Sequence, residues 1–203
     1  MVRPGKITMD GRVRTFIALT VPDDIRLRLS RIATAINAPP HSVRPVSLDQ
    51  LHLTLAFIGE TSHTEIAGIS LDLRDIAAER PDLALSISGI GAFPSVENPR
   101  VLVAHSEPND DLSELKSAID EALYNGYKIP QEKRGFRPHI TLARGKGAIG
   151  RDRFSAWFDH YAGWTTDPFL CDEIAFYQSD LTRTGPEYSI LSTAILGGPG
   201  LLD

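Results

Sequence analysis

Two stretches of this 203-residue chain, His52-Leu53-Thr54-Leu55 and His139-Ile140-Thr141-Leu142, repeat one pattern of histidine, aliphatic residue, threonine, leucine. Each reads as a strand, and each is embedded in the same series of elements. In the first copy a helix starts at Pro22-Asp23-Asp24, with Ile25, Leu29, Ile32 and Ile36 at helical spacing until Pro39-Pro40. The strand at His52 follows. Ser62-His63-Thr64-Glu65 has the form of a capping box and opens a helix to about Glu79. Strands over 83–90 and 100–105 complete the copy. The second copy caps a helix at Asn109, carries Leu112, Leu115, Ile119 and Leu123 on one face, and has Gly126 as its stop. A strand at His139, a helix over 151–161, and strands over 171–178 and 188–195 follow, the last two joined at Gly185-Pro186. A stretch from Arg14 to Val21 adds a buried strand before both copies.

This order, helix, strand, helix, strand, strand, predicts an α+β fold built by internal duplication. Two antiparallel sheets are expected to line a central cleft, with helices on the outer faces. The expected boundaries are a disordered extension over 1–13, one bilobal domain of two interleaved lobes over 14–196, and a flexible tail over 197–203.

Alternation along a strand puts residues i and i+2 on one face. His52 and Thr54 then share a face opposite Leu51, Leu53 and Leu55, as His139 and Thr141 do opposite Ile140 and Leu142. With the aliphatic sets packed on helices, a pseudo-two-fold axis brings both His-Thr pairs to one cleft. An imidazole titrates near neutral pH, so one ring can take a proton while the other gives one. Threonine hydroxyls donate to the non-bridging oxygens of a phosphodiester. The pattern suits metal-free, in-line hydrolysis of a cyclic phosphodiester, and no carboxylate cluster stands at metal-ligand spacing. The bland alternative is a pair of core-facing strands whose His and Thr satisfy each other.

Composition narrows the partners. Hydrophobic residues make up 42% and charged residues 23%, which excludes a disordered or fibrous chain. A net charge of −5 argues against coating long nucleic acid. Seven basic residues against one acid between Lys133 and Arg153 nevertheless bracket the second motif with positive charge. The single cysteine, Cys171, in an apolar run reads as a buried small residue. With no apolar run long enough for a signal or a span, the expected setting is the cytoplasm. No Walker-type loop or adenylating lysine motif is present.

At these residues the chain resembles the 2H phosphoesterase superfamily, named for its two His-x-Thr-x motifs, and most of all its RNA 2′,3′-cyclic phosphodiesterases, long called 2′-5′ RNA ligases. The resemblance runs from Arg14 to about Leu196. It is carried by 14–19, 51–60, Gly91-Ala92-Phe93-Pro94 with Pro99-Arg100-Val101-Leu102, 137–144, and 175–179 with Tyr188. It implies hydrolysis of a 2′,3′-cyclic phosphate to a 2′-phosphomonoester, with His52 as general acid, His139 as general base, and Thr54 and Thr141 on the phosphate. Ligation, if present, is the reverse reaction. No cofactor and no metal are implied; the partners are RNA ends bearing the cyclic phosphate, met by a monomer away from any membrane.

Other residues are weighed by position. Arg144 lies five positions past His139, and strict alternation puts it on the wrong face; it is kept as a phosphate or nucleotide contact if the strand twists there. Phe57 has the same parity, which favours the core over a base-stacking place at the cleft rim. Arg100 and Tyr177 are groove candidates. His41, His63, His105 and His160 are assigned to surface or structure. Competing functions are another 2H reaction, on a cyclic phosphate of ADP-ribose or a 2′-5′ linkage, and a nucleotide- or RNA-binding module without chemistry.

Overall fold

The computed structural model describes residues 11–36, 43–132, 135–145, 154–182 and 185–197. The expected terminal segments at 1–10 and 198–203, Pro39-Pro40, His41, Lys133, Arg134, Lys146, Arg151 and Arg153 lie outside the described residues. Strand β1 spans Val13–Thr20 and helix α1 spans Asp23–Thr34. A short β2, Val43–Pro45, and a 3-10 turn at Leu48–Gln50 lead into β3, His52–Thr61. Helix α2, His63–Ala78, begins with the reciprocal Ser62–Glu65 capping box that its sequence announces.

The expected strand over 83–90 divides. β4, Leu83–Leu85, pairs with β8, Phe169–Cys171, in a separate two-stranded sheet, while β5, Ile87–Pro94, joins the main sheet beside β6, Pro99–Ser106. Helix α3, Asp110–Tyr127, is capped by Asn109, which accepts from the Leu112 amide at 2.7 Å. It runs past Gly126; the left-handed residue that ends it is Lys128, at φ 59°. β7 is His139–Gly145, α4 is Ser155–Tyr161, and the closing hairpin is β9, Glu173–Thr182, with β10, Gly185–Ile195. Gly185-Pro186 opens β10 and is not itself the turn.

The main sheet is antiparallel in the order β10-β9-β1-β3-β7-β6-β5, with β2 also on β7. The two sheets expected from the sequence are its two halves. They meet at one pair, Leu53 with Ile140, so the sheet is pinched between the motif strands. The copies are also exchanged across this pinch. The first copy's hairpin, β5–β6, flanks the second motif strand, whereas β9–β10 lies on the β3 side through β1. Helix α1 packs on β7, and α3 packs on β3.

Apolar periodicity explains the layer. Leu53, Leu55, Ile140 and Leu142 are each at most 2% exposed, in one core with Leu29, Ile69, Leu73 and Ile119. Burial of each such side chain contributes roughly 1.5–3 kcal/mol. At the amino end β1 already includes Val13, and Arg12 donates to the Glu60 carbonyl at 3.0 Å and to Glu65 at 2.9 Å. Val13 of the expected extension therefore belongs to the folded sheet, and Arg12 is hydrogen-bonded beside it.

Candidate active site

The two motif strands carry one burial pattern: partly exposed His, buried aliphatic, partly exposed Thr, two buried residues, then one exposed. Extending the antiparallel register by one residue each way from Leu53–Ile140 sets His52 across from Thr141 and Thr54 across from His139. All four predicted groups thus meet at the pinch, on the face away from the helices.

The exposed position five past each histidine is Phe57 in one copy and Arg144 in the other. Strict alternation placed both on the buried face, and β-bulges return them to the cleft. Along β1, Ala18 pairs with Thr54 but Ile17 with Ala56, skipping Leu55; Phe16 then pairs with Phe57. Along β6, Val103 pairs with Thr141 but Leu102 with Ala143, skipping Leu142; Val101 then faces Arg144. One extra residue in a strand reverses the parity beyond it. The core placement favoured for Phe57 is therefore corrected: its side chain is 52% exposed, 6.1 Å from Phe16 by ring centroids, on the face of His52.

His52 is walled by rings. Phe16, Tyr188 and Tyr177 stand with centroids at 5.0, 5.5 and 5.8 Å. Burial by this wall pushes its pKa down to about 4; the charges of Arg144 and His139 push the same way, and the Gln50 backbone opposes them. His139 is lowered too, first by burial and further by Arg144, while its bond to the Arg137 backbone opposes. That bond runs from Nδ1 to the Arg137 carbonyl at 2.7 Å. A carbonyl only accepts, so Nδ1 carries the proton and a neutral ring offers a lone pair at Nε2.

The structure adds residues that the sequence reading passed over. His105, assigned to surface or structure, is the direct register partner of His139 on β6. It is half-buried, and its pKa is lowered by burial and then by the charges of His139 and Arg137. Phe93 turns its ring edge-on to both, at 4.8 Å from His139 and 5.8 Å from His105. The His105 ring packs directly on the bare backbone of Gly91, where a Cβ would force that ring to shift. Of the groove candidates, Tyr177 is in the wall, while Arg100 is exposed at an irregularity where β6 meets Phe93 and Pro94. Cys171 is buried, its thiol pushed up to about 12, which makes it an inert core residue. No group of three His, Cys, Asp or Glu among the described residues is arranged to hold a metal ion, and none of their helices is long and apolar enough to cross a membrane.

A cleft with two histidines, two threonines, an arginine and an aromatic wall can hold a small phosphodiester and move protons on both sides of it. Comparison with known proteins agrees with the motif resemblance. The model of the 2'-5' RNA ligase superfamily matches residues 21–183. A relative named RNA 2',3'-cyclic phosphodiesterase from Methanothermobacter thermautotrophicus is 27% identical over 88% of this chain and 96% of its own. One of the same name from Thermus thermophilus is 32% identical over 92% and 91%. Among solved structures, a protein of Thermus thermophilus gives a TM-score of 0.76 at 27% identity, covering 92% of this chain and 99% of that one. E. coli LigT complexed with phosphate gives 0.69 at 26%, covering 92% and 98%. The chain belongs to the 2'-5' RNA ligase superfamily.

Proposed function

We propose that this protein hydrolyses 2′,3′-cyclic phosphodiester ends of RNA or nucleotides to 2′-phosphomonoesters, by acid–base catalysis between His52 and His139. The observation that carries the reading is the meeting of both His-Thr pairs on one face of the pinched sheet. The relatives named RNA 2',3'-cyclic phosphodiesterase support the substrate class. A cyclic diester seated between the rings takes donors from Thr54 and Thr141 on its non-bridging oxygens, and Arg144 balances its charge. His139 Nε2 removes a proton from water as the oxygen attacks phosphorus. The P–O3′ bond breaks in line, and His52 protonates the departing O3′. The product holds a 2′-phosphate and a free 3′-hydroxyl, and the two rings reset by exchanging protons with solvent.

The free lone pair at His139 Nε2 suits a base. A low pKa at His52 suits a group that must give its proton readily. Phe57 lies where a base stacks. Every group in this scheme is protein, so no cofactor or metal takes a step, and one chain acting alone in the cytoplasm, over a single bilobal domain that opens with β1 at Val13, supplies them all. The test is incubation with a 2′,3′-cyclic nucleotide in EDTA, with the product resolved by chromatography. The 2′-phosphate is expected at an undiminished rate. Formation of the 3′-phosphate, or loss of turnover on chelation, contradicts the scheme.

A further inference from the structure

A second arginine stands beside Arg144. β2 pairs antiparallel with β7 and sets Arg44 directly opposite Arg144, and directly opposed residues share a face of the sheet. Both side chains are exposed. Arg144 acts electrostatically on both catalytic imidazoles, so Arg44 lies one strand further from the reacting centre, on the same face. Its guanidinium reaches toward the β9–β10 hairpin, where a Cβ on Gly185 would stand 2.8 Å from Nη1. Gly185 holds φ +130°, a conformation open to glycine. Gln50, two residues before His52, donates to the Pro186 carbonyl at 2.5 Å. The base of the hairpin, the edge strand and the start of β3 thus frame one end of the cleft.

Two exposed guanidinium groups on one face of the sheet make a surface that attracts anions. A cyclic mononucleotide carries a single phosphate, which Arg144 and the two threonines occupy. An RNA chain brings a second anion one nucleotide away, and a guanidinium fork matches phosphate oxygens. We propose that Arg44 binds the backbone phosphate on the 5′ side of the terminal nucleotide, so that the protein favours RNA chains over free cyclic mononucleotides. This rests on the function proposed above and specifies its substrate.

The experiment compares kcat/KM for 2′,3′-cyclic AMP with that for the dinucleotide ApA ending in a 2′,3′-cyclic phosphate. The wild type is expected to favour the dinucleotide. Arg44→Ala is expected to lower the dinucleotide-to-mononucleotide ratio about tenfold, the size of one charge-assisted contact. It is also expected to flatten the salt dependence of dinucleotide turnover by about 0.7 in log–log slope. Arg44→Lys keeps the charge and restores part of the ratio, whereas Arg144→Ala slows both substrates together. A wild-type ratio in Arg44→Ala, or equal slowing of both substrates, overturns the assignment and leaves the proposed reaction standing. A wild type that turns over neither substrate overturns both.

Discussion

His52 is held among three aromatic rings, and that environment decides when it carries a proton. With its pKa at about 4, the ring is neutral in the free protein at neutral pH. A bound phosphodiester brings negative charge beside it and favours the imidazolium. Because kcat/KM reports the free enzyme and kcat the complex, their pH profiles must differ. The kcat/KM bell is predicted to peak on the acid side of pH 6.5, the ordinary histidine value, and the kcat bell at higher pH. Superimposed profiles measured across that range would contradict this account of His52. The residues themselves were the most legible part of the site: His52, Thr54, His139 and Thr141 share a face because alternation says so. His105 was not legible, because its place opposite His139 depends on which strand pairs with which, and in what register.

At the scale of elements, local chemistry written into the sequence appears where it was expected. Asn109 caps α3, and Ser62 with Glu65 closes a capping box on α2, the Glu65 carboxyl being lowered by its bonds from Ser62. Ser62 is remote from the rings that wall His52, so Ser62→Ala is predicted to cost about 1 kcal/mol and roughly 2–4 °C in Tm. Calorimetry should show that shift with kcat/KM unchanged; a loss of activity matching the loss of stability would link α2 to the site. The bulges at Leu55 and Leu142 were invisible in the sequence. Neither is marked by glycine, and an aliphatic run permits either parity. That one uncounted residue separates an Arg144 and a Phe57 on the wrong face from the pair that flanks the cleft.

For the whole molecule, duplication predicted the number and order of elements, but not how the copies share them. Helices α1 and α3 back each other's motif strands, and the hairpins are exchanged across the pinch. Pairing of this kind depends on contacts far apart in sequence, which no local pattern encodes. The exchanged sheet also buries its histidines, and burial couples the site to stability. His52 binds a proton less tightly when folded, at about 4, than at its ordinary 6.5. The unfolded chain therefore holds more protons between those values, and stability falls as pH drops through that window. His139 and His105 are lowered as well and act in the same direction. Denaturant titrations are predicted to show about 2 kcal/mol lost through His52 between pH 7 and pH 5, and a smaller loss in His52→Gln. Equal losses in both proteins would show that His52 does not titrate as described.

The proposed reaction requires two imidazoles, contributed by two copies of one unit, to act together in one step. Single-turnover rates on a 2′,3′-cyclic nucleotide, for the wild type, His52→Ala, His139→Ala and the double variant, test that directly. Each single variant is predicted to lose about 10²–10⁴-fold in rate. The double variant is predicted to be little slower than the worse single one, because partners in one step do not contribute independently. Wild-type turnover in His139→Ala, or single losses that multiply in full in the double variant, would contradict it.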